Sequence, residues 1–185
     1  MVDQNLKELK ARLLALLKKD AFKRGQFVLS SGKSSDYYLD GRIATLSSEG
    51  AYLAGSIILE LIRGKGITAI GGPTLGADPI VGAVMALAHL QNLTLKAFIV
   101  RKNAKDHGSK RQVEGPALSP GEKVLLVDDV ATTGKALLEA KQALDKIGVK
   151  IEAILVIVDR LEGAGGNLEK EGLKLDALFT IEDFR

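Results

Sequence analysis

The sequence predicts an α/β fold in which a mostly parallel sheet is flanked by helices. Short apolar runs of strand length recur at 67–70, 95–100, 123–127 and 151–158, and helical patterns stand between them. Strands that alternate with helical stretches favour βαβ units over a sandwich. Of the 185 residues 46% are apolar and 26% charged, the balance of a globular chain. This length fills one substantial core, so a single domain over 1–185 is expected.

Taken in order, Leu6, Leu9, Leu13, Leu14, Leu16 and Leu17 give an amphipathic opening helix. Ser47 or Ser48 can cap a second helix running to about Arg63. The strand at 67–70 leads into Gly71-Gly72-Pro73-Thr74-Leu75-Gly76, and 77–90 reads as a helix rich in small residues, able to pack closely on a sheet. Strands at 95–100 and 123–127 follow, then a helical pattern with Leu137, Leu138, Ala140, Leu144 and Ile147. The strand at 151–158 and a last one within 173–181 complete the set. The connection 103–118 is polar, holds Gly108, Gly115 and Pro116, and has no apolar periodicity. A structureless stretch of that length inside a compact domain is uncommon and is usually a lid, a binding loop or disordered.

Cysteine is absent, which excludes disulfides and thiolate metal sites and favours an intracellular, cytoplasmic setting. No apolar run approaches a membrane span, and the charged, leucine-spaced opening stretch is unlike a secretory signal. The net charge of +3 is local: Arg101, Lys102, Lys105, Lys110 and Arg111 against Asp106 give +4 within 101–111, leaving the rest at −1. One basic loop is not a general nucleic-acid footprint, and neither a membrane nor a nucleic-acid partner is expected.

The run from Val124 to Ala136 carries the densest chemistry. A strand covered on both faces ends in Asp128 and Asp129, at the carboxyl end where open α/β sheets bind ligands. Adjacent carboxylates can accept hydrogen bonds from vicinal hydroxyls or lie near a metal. The small and hydroxylated residues 131–136 precede a helix, whose first N–H groups can surround a phosphate. The plain alternative is a strand-to-helix turn whose acids cap the helix. A second constellation is Arg101-Lys102-Asn103-Ala104-Lys105-Asp106-His107-Gly108, cations that begin at a strand end and suit closure over a polyanion such as pyrophosphate; a solvated charge run is the alternative. No P-loop is present, and His89 and His107 are the only histidines, so a metal is expected as Mg²⁺ carried mainly by substrate oxygens.

The strand, acid pair and Thr- and Gly-rich loop at 124–136 resemble the 5-phosphoribosyl 1-pyrophosphate (PRPP) motif of the type I phosphoribosyltransferases. Arg-Lys-x-x-Lys-x-His-Gly at 101–108 is similar to the catalytic-loop signature of orotate phosphoribosyltransferases. Phe27 to Asp40, with Ser31-Gly32-Lys33 and Tyr37-Tyr38-Leu39-Asp40, resembles that family's N-terminal elements, and 71–79 its pyrophosphate loop. A lysine of well-known members directly before Ser-Gly is replaced here by Ser30, with Lys33 the candidate substitute, and a lysine found in some members is replaced by Gly76, as in a subclass of the family.

The resemblance implies the type I phosphoribosyltransferase fold with a small hood formed largely by 1–45 and the C-terminal segment. It implies Mg-dependent transfer of phosphoribosyl from PRPP to orotate, giving orotidine 5′-phosphate and pyrophosphate in de novo pyrimidine (UMP) synthesis. Lys105, Asp128 and Asp129 would be catalytic. PRPP would be bound by Arg101, Lys102, Lys105, His107, Asp128, Asp129, Val130, Ala131, Thr132, Thr133, Gly134, Lys135 and Ala136. Orotate would be bound by Thr132, Arg160, Tyr38 and Lys33, the arginine meeting the carboxylate with its planar pair of donors. A homodimer, with the loop shared between subunits, is implied as well. A purine phosphoribosyltransferase shares the PRPP run but is not expected to combine it with the Lys-x-His-Gly loop and Arg160. A PRPP-sensing, nucleic-acid-binding regulator of the same fold would explain the basic loop differently.

Overall fold

The structure, a computed structural model, describes residues 2–28, 34–102 and 111–185. Its centre is a six-stranded sheet of order β5-β4-β3-β6-β7-β8. These are β3 (Ala69–Pro73), β4 (Lys96–Val100), β5 (Val113–Glu114), β6 (Lys123–Ala131), β7 (Lys150–Asp159) and β8 (Leu175–Thr180). All neighbours run parallel except β5, which lies antiparallel on the edge of β4. Among the five parallel strands the chain first steps outward from β3 to β4, then returns to the other side of β3 with β6. The switch between β3 and β6 opens the crevice in which such sheets hold ligands.

Side chains alternate across β6, so its two faces feed two cores. Leu125 and Val127 face α1 (Val2–Leu16), α3 (Ser48–Ile62) and α4 (Ala77–Leu90). Val124 and Leu126 face α5 (Lys135–Asp145) and α6 (Ala164–Glu169). In α1, Leu9 and Leu13 are buried at the expected spacing, and Leu17 continues the stripe into a π-helical turn, Leu17–Ala21. Ser47 is the N-cap of α3, its hydroxyl accepting from Gly50 N–H at 3.0 Å. Leu53, Ile57, Ile58 and Leu59 of α3 are fully buried, each contributing about 1.5–3 kcal/mol of hydrophobic stabilisation.

A hairpin of β1 (Phe22–Val28) and β2 (Ser34–Leu39) forms a separate two-stranded sheet, followed by the short α2 (Gly41–Thr45). It is joined to the C-terminus by aromatic contacts: Phe22 lies 5.3 Å from Phe184 of the final 3₁₀ turn and 5.7 Å from Tyr37 of β2.

Three expectations need correction. β6 does not end at Val127; it continues through the acids to Ala131, because that segment pairs with 156–159 of β7. The connection after β4 is not without structure throughout: Val113 and Glu114 pair with Val100 and Ile99, and Val113 and Leu118 pack against the core. Helix α5 begins at Lys135, inside the segment read as a loop, and stops before Ile147.

Candidate active site

A cavity of about 280 Å³ opens at the β3/β6 switch. β6 supplies Asp128, Asp129 and Val130, the following loop Thr132, β3 and its loop Thr74 and Gly76, and the hairpin side Tyr38, Asp40 and Arg42; Arg160 closes the far wall.

Asp128 is 8% exposed, and its Oδ1 accepts from Asp129 N–H at 3.0 Å. Burial pushes the Asp128 carboxyl well above the usual carboxylate range, and the neighbouring Asp129 pushes it further. Burial raises Asp129 too, with Arg42 pulling the other way. Two partly desolvated carboxyls side by side are poised to accept hydrogen bonds from hydroxyls or to meet a positive charge. Gly76 is required beside them, since a Cβ there would collide with Asp128 Oδ1 and Asp129 Oδ1.

The Thr132-Thr133-Gly134 loop is pinned from both ends. Asn167 Nδ2 donates to Thr133 O at 3.0 Å, and Gly134 takes φ 75°, a conformation that a side chain disfavours. The left-handed turn starts α5 with no side-chain cap on its first turn. Lys135 reaches Glu139 at 3.8 Å and is 81% exposed. It lines a second cavity of about 300 Å³ with Arg101 and Lys102, and this cavity shares Pro73, Thr74 and Ala136 with the first. Arg101 is held by the β5 edge: its N–H donates to Gln112 O at 2.9 Å and its guanidinium lies 3.8 Å from Glu114.

Arg160 is 8% exposed, and its backbone N–H donates to Ala131 O at 2.9 Å. Its guanidinium stacks over the Tyr37 ring at 4.7 Å and pairs with Glu162 at 2.8 Å. Burial pushes the Tyr37 phenol up, opposed by Arg160. Asp40 caps α2 through Arg42 N–H and holds the Arg42 side chain by two bonds of 2.8 Å, which lowers the Asp40 carboxyl. The Tyr38 hydroxyl donates to Asp40 at 3.4 Å.

The residues expected in the site therefore fall into groups. Asp128, Asp129, Val130, Thr132, Tyr38, Arg160 and Ala136 share the first cavity, while Arg101, Lys102 and Lys135 meet in the adjoining one. Ala131 is buried beneath Arg160 rather than facing the cavity, and Thr133 and Gly134 shape the loop from outside both linings. Ser30, Lys33, Lys105 and His107 lie outside the described residues. Arg42 and Glu162 join the site without standing in any of the sequence motifs, and Tyr37 has a part beyond its place in an aromatic pair. Arg42, two residues after the aspartate of the Tyr-Tyr-Leu-Asp element, had a local signal; Glu162 had none.

A 2-1-3-4-5 parallel order with an acid pair and a helix start at the switch defines a class, and residues 43–176 match the family model of the phosphoribosyl transferase domain. The chain is 41% identical over 180 residues to an orotate phosphoribosyltransferase of Synechocystis, covering 97% of this chain and 90% of that one. It is 42% identical to one of Rhodopirellula baltica, covering 94% and 93%. The crystal structure of Mycobacterium tuberculosis orotate phosphoribosyltransferase in complex with PRPP superposes with a TM-score of 0.79 at 33% identity, covering 95% of this chain and 98% of that one. The chain belongs to the orotate phosphoribosyltransferase family.

Proposed function

We propose that this chain transfers the 5-phosphoribosyl group of PRPP to orotate, releasing pyrophosphate and forming orotidine 5′-phosphate, a step of pyrimidine synthesis. The observation that carries this reading is the meeting, in one cavity, of the acid pair Asp128 and Asp129 with the buried Arg160. The M. tuberculosis relative solved with PRPP lends it support.

Breaking the C1–pyrophosphate bond develops positive charge on the ribose and negative charge on the leaving group, so preorganised charge is what the protein must supply. Asp128 and Asp129 would take the ribose hydroxyls and favour the cationic ring. The backbone at 132–136 would hold the 5-phosphate at the start of α5. Arg101 and Lys102, with Lys105 and His107, would meet the pyrophosphate, and Arg160, Thr132, Tyr38 and Lys33 the base. The hard oxygen donors of the cavity fit Mg²⁺, and among the described residues no group of three or more His, Cys, Asp or Glu is gathered as a cage for it. Mg²⁺ bound chiefly to substrate oxygens would neutralise charge on the leaving pyrophosphate.

The wider setting belongs to the same reading: one domain over 1–185 with the β1–β2 hairpin and C-terminal turn as hood, a homodimer whose loop crosses to the neighbouring site, and a cytoplasmic location. No helix among the described residues is long and apolar enough to cross a membrane. The test is an assay of PRPP and Mg²⁺ with orotate, uracil and hypoxanthine side by side. Pyrophosphate release with orotate alone is expected; turnover confined to hypoxanthine would reject the substrate.

A further inference from the structure

Leu161, between Arg160 and Glu162, has φ 58°, in the left-handed region that a branched side chain enters at a cost of order 1 kcal/mol or more. Burial of the leucine does not compensate, because its side chain is 51% exposed. The turn is held instead by polar contacts. Leu161 N–H donates to Asp159 Oδ1 at 2.9 Å, and the chain doubles back so that Glu162 faces Arg160.

There, Glu162 Oε1 accepts from Arg160 Nε at 2.8 Å and from the Tyr37 hydroxyl at 3.3 Å, and forms an ion pair with Nη2 at 2.8 Å. Arg160 Nε also donates to the Tyr37 oxygen at 3.1 Å. A guanidinium has five N–H donors in one plane. The Nε edge is thus committed to Glu162 and Tyr37, while the tyrosine ring supports the plane from below. Among the described residues, both Nη1 hydrogens and one on Nη2 are left over on a side chain 7% exposed that lines the cavity.

We infer that Glu162 is a positioning residue for the acceptor base: it clamps the Nε edge of Arg160 over Tyr37, so that the terminal Nη1/Nη2 edge presents a two-donor fork to a carboxylate on the base. The inference deepens the proposed function and rests on it. It also gives base selection a physical origin. A base bearing a carboxylate completes the fork, whereas one without it leaves desolvated donors unpaired, the more severe form of discrimination. Because Glu162 already offsets the arginine's charge, the fixed orientation of the fork, rather than bulk attraction, decides the outcome.

The test is steady-state kinetics of the full chain with PRPP and Mg²⁺, varying orotate and PRPP in turn, for the wild type, Glu162→Ala and Glu162→Gln. Glu162→Ala should raise the KM for orotate about tenfold while the KM for PRPP stays within about twofold, the signature of a lost base contact. Glu162→Gln should return the orotate KM to within about threefold of wild type, since its amide oxygen still accepts from Nε. An unchanged orotate KM in Glu162→Ala, an equal rise in both KM values, or a Gln variant as impaired as the Ala variant would each overturn the inference. A wild type that turns over no orotate would overturn the functional reading itself, and the positioning role would fall with it.

Discussion

On one side of the cavity Asp128, Asp129 and Thr132 lie within five residues of one another, on β6 and the loop it feeds. On the other, Arg160 meets Tyr37, a partner 123 residues earlier in the chain, through a hydroxyl on a separate hairpin. The first side is fixed by a strand end, a left-handed glycine and a helix start, all local. The second needs the hairpin to sit down on the sheet, with Phe184, Phe22 and Tyr37 in successive ring contact leading to the guanidinium. On the proposed function, the locally built half would carry the chemistry common to its fold class, while the half assembled at long range would choose the acceptor.

The largest effect should come from the local half. Asp128→Asn keeps the shape and the acceptor for Asp129 N–H but removes the charge, and should lower kcat by roughly 10²–10³-fold, the scale of losing one preorganised electrostatic group. The same change should stabilise the free protein. The Asp128 carboxyl is raised in the folded state, chiefly by burial, so ionising it opposes folding. That penalty grows as pH rises above the ordinary carboxylate range and disappears below about 4, where folded and unfolded chains are both protonated. Melting temperature against pH should show Asp128→Asn above wild type at pH 7.5, with the gap closing toward pH 4. A wild type more stable than the variant at pH 7.5 would contradict the burial argument.

A smaller and more selective effect is expected across the cavity. Arg160→Lys retains a cation but not the planar fork, and should lower kcat/KM for orotate by roughly 10²-fold with little change in the KM for PRPP. Parallel losses toward both substrates would show that the two halves do not divide the work as described.

The same division explains what could be read from the sequence. The helices at 48–62 and 77–90 and the parallel strands were visible because each buries a periodic or continuous apolar pattern. β6 was cut short because acids read as a strand end, yet their backbone is paired with β7 by tertiary contact. β5 was missed because two half-buried residues carry no pattern. In β1, residues 23–26 are all exposed, so the hairpin has no hydrophobic signature of its own. Glu162 was invisible for a related reason: its role depends on a strained turn at an exposed leucine, and propensity does not predict a left-handed Leu161.

The smallest expected effect sharpens the local half. Lys135 stands at the first position of α5, where a cation could serve the phosphate directly or only decorate the helix start. Its side chain is 81% exposed and its Nζ already 3.8 Å from Glu139, an i,i+4 surface pair worth about 0.3–0.5 kcal/mol. The phosphate cradle should therefore rest on backbone N–H groups set by Gly134, with Lys135 adding a screened, long-range attraction shared with Arg101 and Lys102. Lys135→Ala is then expected to raise the KM for PRPP by about twofold at low salt and by less at about 0.15 M, where the Debye length falls to about 8 Å. A salt-independent rise of tenfold would make the lysine a direct phosphate ligand and move part of the cradle from the backbone to a side chain.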